Sequence, residues 1–473
     1  MFSRKKLKAA NSSQGRAERS VDNSAALHRA VSWILHEDSF ANVQLHGNVK
    51  WLSRNLVILA VVTAWSEAGR LTDAFSQAAQ LSQSLFGVLA INTFQGMMRA
   101  LVTYGQQLVP CMWLRLQMLM SQVSPEHFRI GRWVPLAVDG SRFTAPRTRS
   151  NEHAFSAKNY GKGKDARSRI HWKNKKKRSK KLSAPVKPQI WLTLIWHMGL
   201  KLPWCWKKGP STSSERHHFI EMLTAQEFPE NSLFCGDAGF IGYELWTTLA
   251  SRGHSFLIRV GANVRLLKNL GNVKRGDGIV CVWPNDAIKR NQPPIVLRLI
   301  EVQGPRGRMY LVTNVLEEHL LSDRLLKRLY PLRWGIELQF RTAKQTFGKG
   351  KLRSRNSDHA LAELDWSLIA LTMIQLLAIR EQTQIAIPPE RSSVAQAIKA
   401  IRHAIQNWKQ SVSKDQSLKT QLREATKDTY VRTKSKQARY HPDIKSKPSA
   451  TKPIIINANA SQKAAFRALT RAA

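Results

Sequence analysis

The apolar pattern of this 473-residue chain changes period near Ile130, and that change constrains the fold more than any single motif. Before it, from Ser24 to about Ser124, every strong pattern is helical. Ala25, Leu27, Ala30, Val31, Ile34 and Leu35 recur with the spacing of one helix face. Residues 55–65 are apolar almost all round, as in a central buried helix. Residues 71–73 read as a cap before a helix at 74–86, and 94–120 hold one or two more helices. After Ile130 the apolar runs shorten and are stopped by Gly, Asp, Asn and Pro, which is strand punctuation. The expected architecture is an all-α domain at 1–128, then an α/β domain with a mixed sheet flanked by helices.

The second half divides further. Residues 133–138 form a short apolar run ending in Asp139-Gly140-Ser141, a buried strand with an acid at its C-terminal end. Runs at 190–200 and 202–206 read as a hairpin. Ser211-Thr212-Ser213-Ser214-Glu215 caps a helix reaching about Gln226. The run 232–235 is a strand stopped by Gly236-Asp237-Ala238-Gly239. A helix at 242–251 and a strand at 255–260, which carries Arg259, complete a first core segment at 129–261. Three β segments at 279–283, 295–302 and 309–315 make 262–318 a β insertion. A second core segment, 319–381, holds a helical run through Tyr330 to Lys344 and an apolar helix. The rest, 382–473, reads as a helical C-terminal region: an amphipathic helix and a Lys-rich tail, disordered except for a terminal helix near 460–472.

Charge narrows the function. Lys and Arg number 74 against 32 Asp and Glu, a formal net charge of +42. A compact chain repels itself at that charge unless a polyanion neutralises it, so DNA or RNA is the leading partner. Ribosomal and architectural proteins share the charge but are usually shorter and poorer in apolar runs. A helical bundle ahead of a basic core suits DNA-end recognition or plain scaffolding, and no helix-turn-helix signature separates the two. The densest basic block, 173–181, reads equally as a DNA-backbone clamp or a solvated loop. Cys111, Cys205, Cys235 and Cys281 lack metal-ligand spacing and read as reduced thiols in a cytosolic core. His217 and His218 are expected on a helix surface. The N-terminus has no signal-peptide pattern, and the apolar runs at 56–65 and 368–379 fall short of the about 18 residues a membrane span needs.

Within the helical run, Tyr330, Arg333, Glu337 and Lys344 share one face. At about 100° per residue they lie at roughly 0°, 300°, 340° and 320°. One acid, two cations and a phenol on a narrow face suit a metal and a phosphate. Phosphodiester chemistry uses two divalent cations roughly 3.5–4 Å apart, held by hard oxygen ligands. Asp139 and Asp237 each follow a short apolar strand and precede a glycine within two residues. Singly, an Asp near a Gly at a strand end is turn chemistry, and a helix Glu is a solvated charge. Together, in this order and at this charge, they outline a centre of three carboxylates.

These residues give the chain a resemblance to the DDE transposases of bacterial insertion sequences, in the branch called the insertion-sequence-four family. That branch is marked by Tyr, two residues, Arg, three residues, Glu, six residues, Lys, which Tyr330, Arg333, Glu337 and Lys344 match. The resemblance covers about 130–350. It implies a ribonuclease H-like core with Asp139, Asp237 and Glu337 as catalytic and metal-binding triad for two Mg²⁺ ions, Mn²⁺ substituting. It implies phosphate contacts from Tyr330, Arg333 and Lys344, stacking by Trp334, and a lesser phosphate contact from Arg259. The implied activity is cut-and-paste DNA transposition: binding the terminal inverted repeats, hydrolytic cleavage, and joining of the 3′-OH to target DNA by a homodimer in the bacterial cytoplasm, at the nucleoid, with no membrane. The alternatives are a ribonuclease H-like nuclease that only cuts and a domesticated, non-catalytic DNA-binding protein. Pro331 and Gly335 depart from good helix chemistry within the signature.

Overall fold

A computed structural model describes residues 21–87, 90–156, 187–271, 278–304, 307–428 and 452–472. The basic stretch 158–181 lies outside them. A two-residue strand, β1 (Val21–Asp22), leads into four helices, α1 (Asn23–Ile34), α2 (Ser53–Trp65), α3 (Leu71–Phe86) and α4 (Phe94–Val123). A single turn, α5 (Pro125–Phe128), precedes the sheet. There follow β2 (Val134–Thr144), α6 (Arg149–Phe155), β3 (Gln189–His197), β4 (Leu202–Gly209), α7 (Glu215–Ala225), β5 (Ser232–Gly236), α8 (Tyr243–Ser251) and β6 (Ser255–Val260). Next come β7 (Arg265–Lys268), β8 (Ile279–Val282), α9 (Asn285–Lys289), β9 (Ile295–Gly304) and β10 (Gly307–Thr313). The chain continues through α10 (Asp323–Leu329), α11 (Gly335–Arg341), α12 (Ser357–Thr383), α13 (Val394–Gln406), β11 (Ser411–Val412), α14 (Leu418–Glu424), β12 (Ile454–Asn457) and α15 (Ala460–Ala472).

Among the described residues, ten strands form one mixed sheet in the order β12-β7-β8-β9-β10-β6-β5-β2-β3-β4. Strand β2 is the pivot. It pairs antiparallel with β3, Asp139 opposite Leu194, and parallel with β5, Ala137 beside Cys235. Strand β5 continues parallel to β6. The segment 262–318 forms no layer of its own. Its strand β10 pairs antiparallel with β6, and β9, β8 and β7 carry the same sheet outward.

Helix α12 is the axis of the core. Its long central stretch is buried on every side, between α2, α4, β4, α13 and α14. By length and composition it would cross a membrane, yet here it lies wholly inside the fold. It is longer than its apolar run because its polar residues find buried partners. The Asp365 carboxylate accepts from the Trp206 indole at 2.8 Å and pairs with Lys208. The Gln382 amide donates to the carbonyls of Leu422 and Ala425. An unpaired polar group at that depth would cost about 1–3 kcal/mol. Helix α2, apolar all round as its sequence predicts, needs cover on all sides. Part of that cover is α12, and the Trp65 indole donates to the Ala370 carbonyl at 2.9 Å. The N-terminal helices therefore share one continuous core with the sheet half.

Two local readings change. Strand β2 does not stop at Asp139 but runs to Thr144, because β3 pairs with it along that whole length. The tail includes described structure: β12 lies parallel to β7, and Phe466 of α15 packs edge-on against Trp283. Trp283 is thus a core residue, its indole donating to the Gln292 carbonyl at 2.7 Å.

Candidate active site

Two parallel strands bring the two aspartates together. Pairing between β2 and β5 ends at Ala137 and Cys235, and β5 ends at Gly236. Two residues further along each strand stand Asp139 and Asp237, where the sheet opens. Each aspartate spends one oxygen on a nearby backbone N–H: Gly140 N donates to Asp139 Oδ1 at 2.8 Å, and Gly239 N to Asp237 Oδ1 at 2.7 Å. Burial pushes the Asp139 carboxyl up to about 6, with Asp237 and Glu337 raising it further while the Gly140 N–H and Arg333 oppose. Asp139 thus feels both other acids of the predicted triad and the signature arginine.

Residues 330–346 form one helical run of uneven pitch. A 3-10 turn spans Tyr330–Trp334, an α-helical stretch Gly335–Arg341, and a π turn Thr342–Thr346. Pro331 sits at the start of the tight turn, where its missing N–H is tolerated. Gly335 is required by packing. A Cβ there would lie 2.1 Å from the Trp196 ring of β3, so only glycine lets the run sit this close to the sheet. The π turn sets the position of Lys344, whose Nζ donates to Ser141 Oγ at 2.5 Å and lies over the Phe143 ring. Asp139, Ser141 and Phe143 alternate along β2, so the whole run covers the face that carries Asp139.

The predicted site residues on this run differ in exposure. Glu337 and Trp334 face solvent, as does Leu338. Arg333 is only 4% exposed, its guanidinium lies 4.9 Å from the Trp334 ring, and its Nε has no hydrogen-bond partner among the described residues. Tyr330 is buried, and its hydroxyl donates to the Gly236 carbonyl at 3.2 Å, so it fastens the end of β5 beside Asp237. Burial pushes that phenol up to about 12. Arg259, half-buried on β6, acts on the same phenol. Tyr330 is thus packed inward, while Arg333 stacks beside exposed Trp334 and Lys344 reaches Ser141 of β2.

Glu215 stands at the same centre, and its sequence setting reads only as a helix start. It is the first residue of α7, capped by Ser214, on the sheet face of Gly140 and Thr193, opposite that of Asp139. A Cβ at Gly140 would lie 2.7 Å from Glu215 Oε1, and one at Gly239 would lie 3.6 Å from Oε2. Burial pushes the Glu215 carboxyl up to about 7, with Asp139 and Asp237 adding to it and Arg142 opposing. Of the neighbouring histidines, His217 is exposed, but His218 is buried with Nδ1 3.1 Å from Thr193 Oγ1, so only one of the pair lies on the surface. The four cysteines are free thiols, three of them buried.

The acids able to hold a cation are therefore Asp139, Asp237, Glu337 and Glu215. Among the described residues, no three His, Cys, Asp or Glu side chains already converge as a ligand set. The donors nonetheless fit a hard cation in kind: all are carboxylates, and at two of them glycine leaves room where a Cβ would intrude.

A fold and a site of this form define a class. The family described as Transposase DDE domain matches residues 134–373, half of the chain, and the chain belongs to that family. It is similar to the transposase InsG for insertion sequence element IS4 of Escherichia coli (strain K12), 24% identical over 255 residues, 52% of this chain and 52% of that one. The chain therefore spans about half the length of this curated relative in its match. A cryo-EM structure of the piggyBac transposase synaptic complex with hairpin DNA aligns over 83% of this chain and 82% of that chain, with a TM-score of 0.40 and 12% identity.

Proposed function

We propose that the chain is a DNA transposase that cleaves the ends of an insertion sequence and joins the freed 3′-OH to target DNA. The observation that carries this reading is the placement of Asp139 and Asp237 just past the last paired residues of β2 and β5, where the run bearing Arg333 and Glu337 is fastened to Gly236 and Ser141. The strand order β4-β3-β2-β5-β6, antiparallel across the first three and parallel across the last, supports a ribonuclease H-like core. Asp139, Asp237 and Glu337 would hold two Mg²⁺ or Mn²⁺ ions. Such ions, when bound, supply Lewis acidity to the phosphodiester and acidify a water.

The chain's own groups do the rest. Asp139 and Asp237 present carboxylates whose orientation is fixed by the Gly140 and Gly239 N–H groups. Arg333, buried and with a spare N–H, offers a charge-assisted hydrogen bond to a phosphate oxygen beside the cut. Lys344 adds a second positive charge near β2. Trp334 and Leu338 present an exposed apolar surface beside Glu337 for a base at the element's end. In the first step a water oxygen bonds to phosphorus and the 3′ oxygen leaves as the hydroxyl. In the second, that 3′ oxygen bonds to a target phosphorus and displaces the target strand's own 3′ oxygen. No bond to the protein forms. The N-terminal helices at 1–128 would contribute end binding, and two copies would hold two ends, in a bacterial cytoplasm at the nucleoid.

Glu337→Gln tests the centre. Mg²⁺-dependent cleavage of a plasmid carrying the element with its flanks should fall by about 10²- to 10³-fold, as for loss of one key electrostatic group. Cleavage at the wild-type rate would sink the assignment. Supplying a pre-cut 3′-OH end separates the two enzymatic readings, because a nuclease that only cuts yields no joined product.

A further inference from the structure

Helix α7 starts with an acid that has no reason to be where it is if its role ends with the helix. A glutamate in a first turn gains from the helix dipole in any orientation near the N-terminus, typically by facing water. Glu215 instead lies half-buried against Gly140 of β2 and Gly239, beside Asp139 and Asp237. One of its oxygens abuts Gly140 and the other faces Gly239. Strand β5 ends at Gly236 while β2 continues, and the gap beside Gly140 is where the carboxylate enters. A side chain at either glycine would crowd that carboxylate.

Like charges in this arrangement repel, and the nearby protein cation does little to offset them. Arg142 lies on the same face, but its guanidinium stacks over Trp191 at 4.6 Å. Among the described residues Glu215 makes no hydrogen bond or ion pair. A second, independent feature lies on the other face: Arg333, 4% exposed, stands beside Asp139, and its Nε has no hydrogen-bond partner among the described residues. An acid cluster and an unpaired buried guanidinium side by side suit divalent cations together with a phosphate.

We propose that Glu215 is a fourth carboxylate of the centre and contributes directly to holding a divalent cation, from the sheet face opposite Glu337. This rests on the reading of Asp139, Asp237 and Glu337 as metal ligands. It places Asp139 within β2 and Asp237 just past β5, with Glu337 and Glu215 closing from the two faces.

Mn²⁺ binding to the full chain, followed by loss of the free-ion electron paramagnetic resonance signal, tests it without reference to catalysis. Glu215→Gln should weaken Mn²⁺ binding about tenfold, at the lower end of what loss of a supporting group does to a metal site. Its melting temperature in chelator should match or exceed that of the wild type. Glu215→Asp keeps the charge and the helix start but withdraws the carboxylate by one methylene, and should weaken binding as well. A role confined to the helix start predicts wild-type binding for Glu215→Asp, and that outcome overturns the proposal. Asp139→Asn separates the levels. If it loses Mn²⁺ while both Glu215 variants bind normally, only the fourth ligand is wrong. If Asp139→Asn also binds normally, the metal centre itself is misassigned.

Discussion

The two faces of the sheet meet the same pair of aspartates in different ways. On one face the run 330–346 is pressed against β2 and β3, with Tyr330 and Arg333 buried and Glu337 and Arg341 exposed. On the other, α7 brings a half-buried glutamate into the gap beyond β5 and leaves its arginine, Arg216, exposed. The first face sets Arg333, Lys344 and aromatic rings beside Glu337. The second adds a further carboxylate to the two aspartates.

Substitutions can break this contrast one face at a time. Gly335→Ala should do most damage to folding. It improves helix propensity by about 1 kcal/mol, but its methyl meets the Trp196 ring, and overpacking of this kind costs about 1–3 kcal/mol. The net expectation is a lower urea midpoint, and a raised midpoint would mean that the run can move off the sheet. Tyr330→Phe should cost about 1 kcal/mol, the net worth of its hydrogen bond to Gly236. Affinity for nonspecific duplex DNA should stay within about twofold, since the hydroxyl is turned inward; a larger loss would place Tyr330 on the backbone after all.

The smallest effect belongs to the acid face and depends on pH. The folded carboxyls of Asp139 and Glu215 sit above their ordinary values, at about 6 and about 7. A raised acid binds its proton more tightly when folded, so its contribution favours the fold at low pH and declines as pH rises through the folded value. In chelator, the melting temperature of Glu215→Gln relative to wild type should therefore climb between about pH 5 and pH 8. Saturating Mn²⁺ should cancel or reverse the difference. A flat difference in chelator would remove Glu215 from the cluster's electrostatics.

Much of this centre is legible in the sequence, and the gaps have physical causes. Asp139 and Asp237 stand out because short apolar runs end beside them, and the run from Tyr330 to Lys344 because four polar residues share a helical face. The onward course of β2 is hidden, since Gly140-Ser141-Arg142 has turn composition and only pairing with β3 makes it a strand. Glu215 is hidden for a related reason. Its neighbours Gly140 and Gly239 are brought to it by the parallel register of β2 and β5, which no local pattern encodes. The uneven pitch of the signature run is half visible: Pro331 announces the tight turn, while nothing in Thr342 to Thr346 announces the π turn. Tyr330 has the type and spacing of a phosphate contact, and its burial follows from packing against β5.

The far edge of the sheet has a consequence for synthesis. Strand β12 supplies the parallel neighbour of β7 from a point far downstream in the chain. Until Ile454 to Asn457 have been made, the outer edge of β7 offers unpaired amides and carbonyls to any passing strand. Edges left open while a nascent chain waits for distant partners are where aggregation begins. Cover for that edge thus comes from residues made long after β7 itself, and β12 stands at the opposite end of the sheet order from the hairpin of β3 and β4.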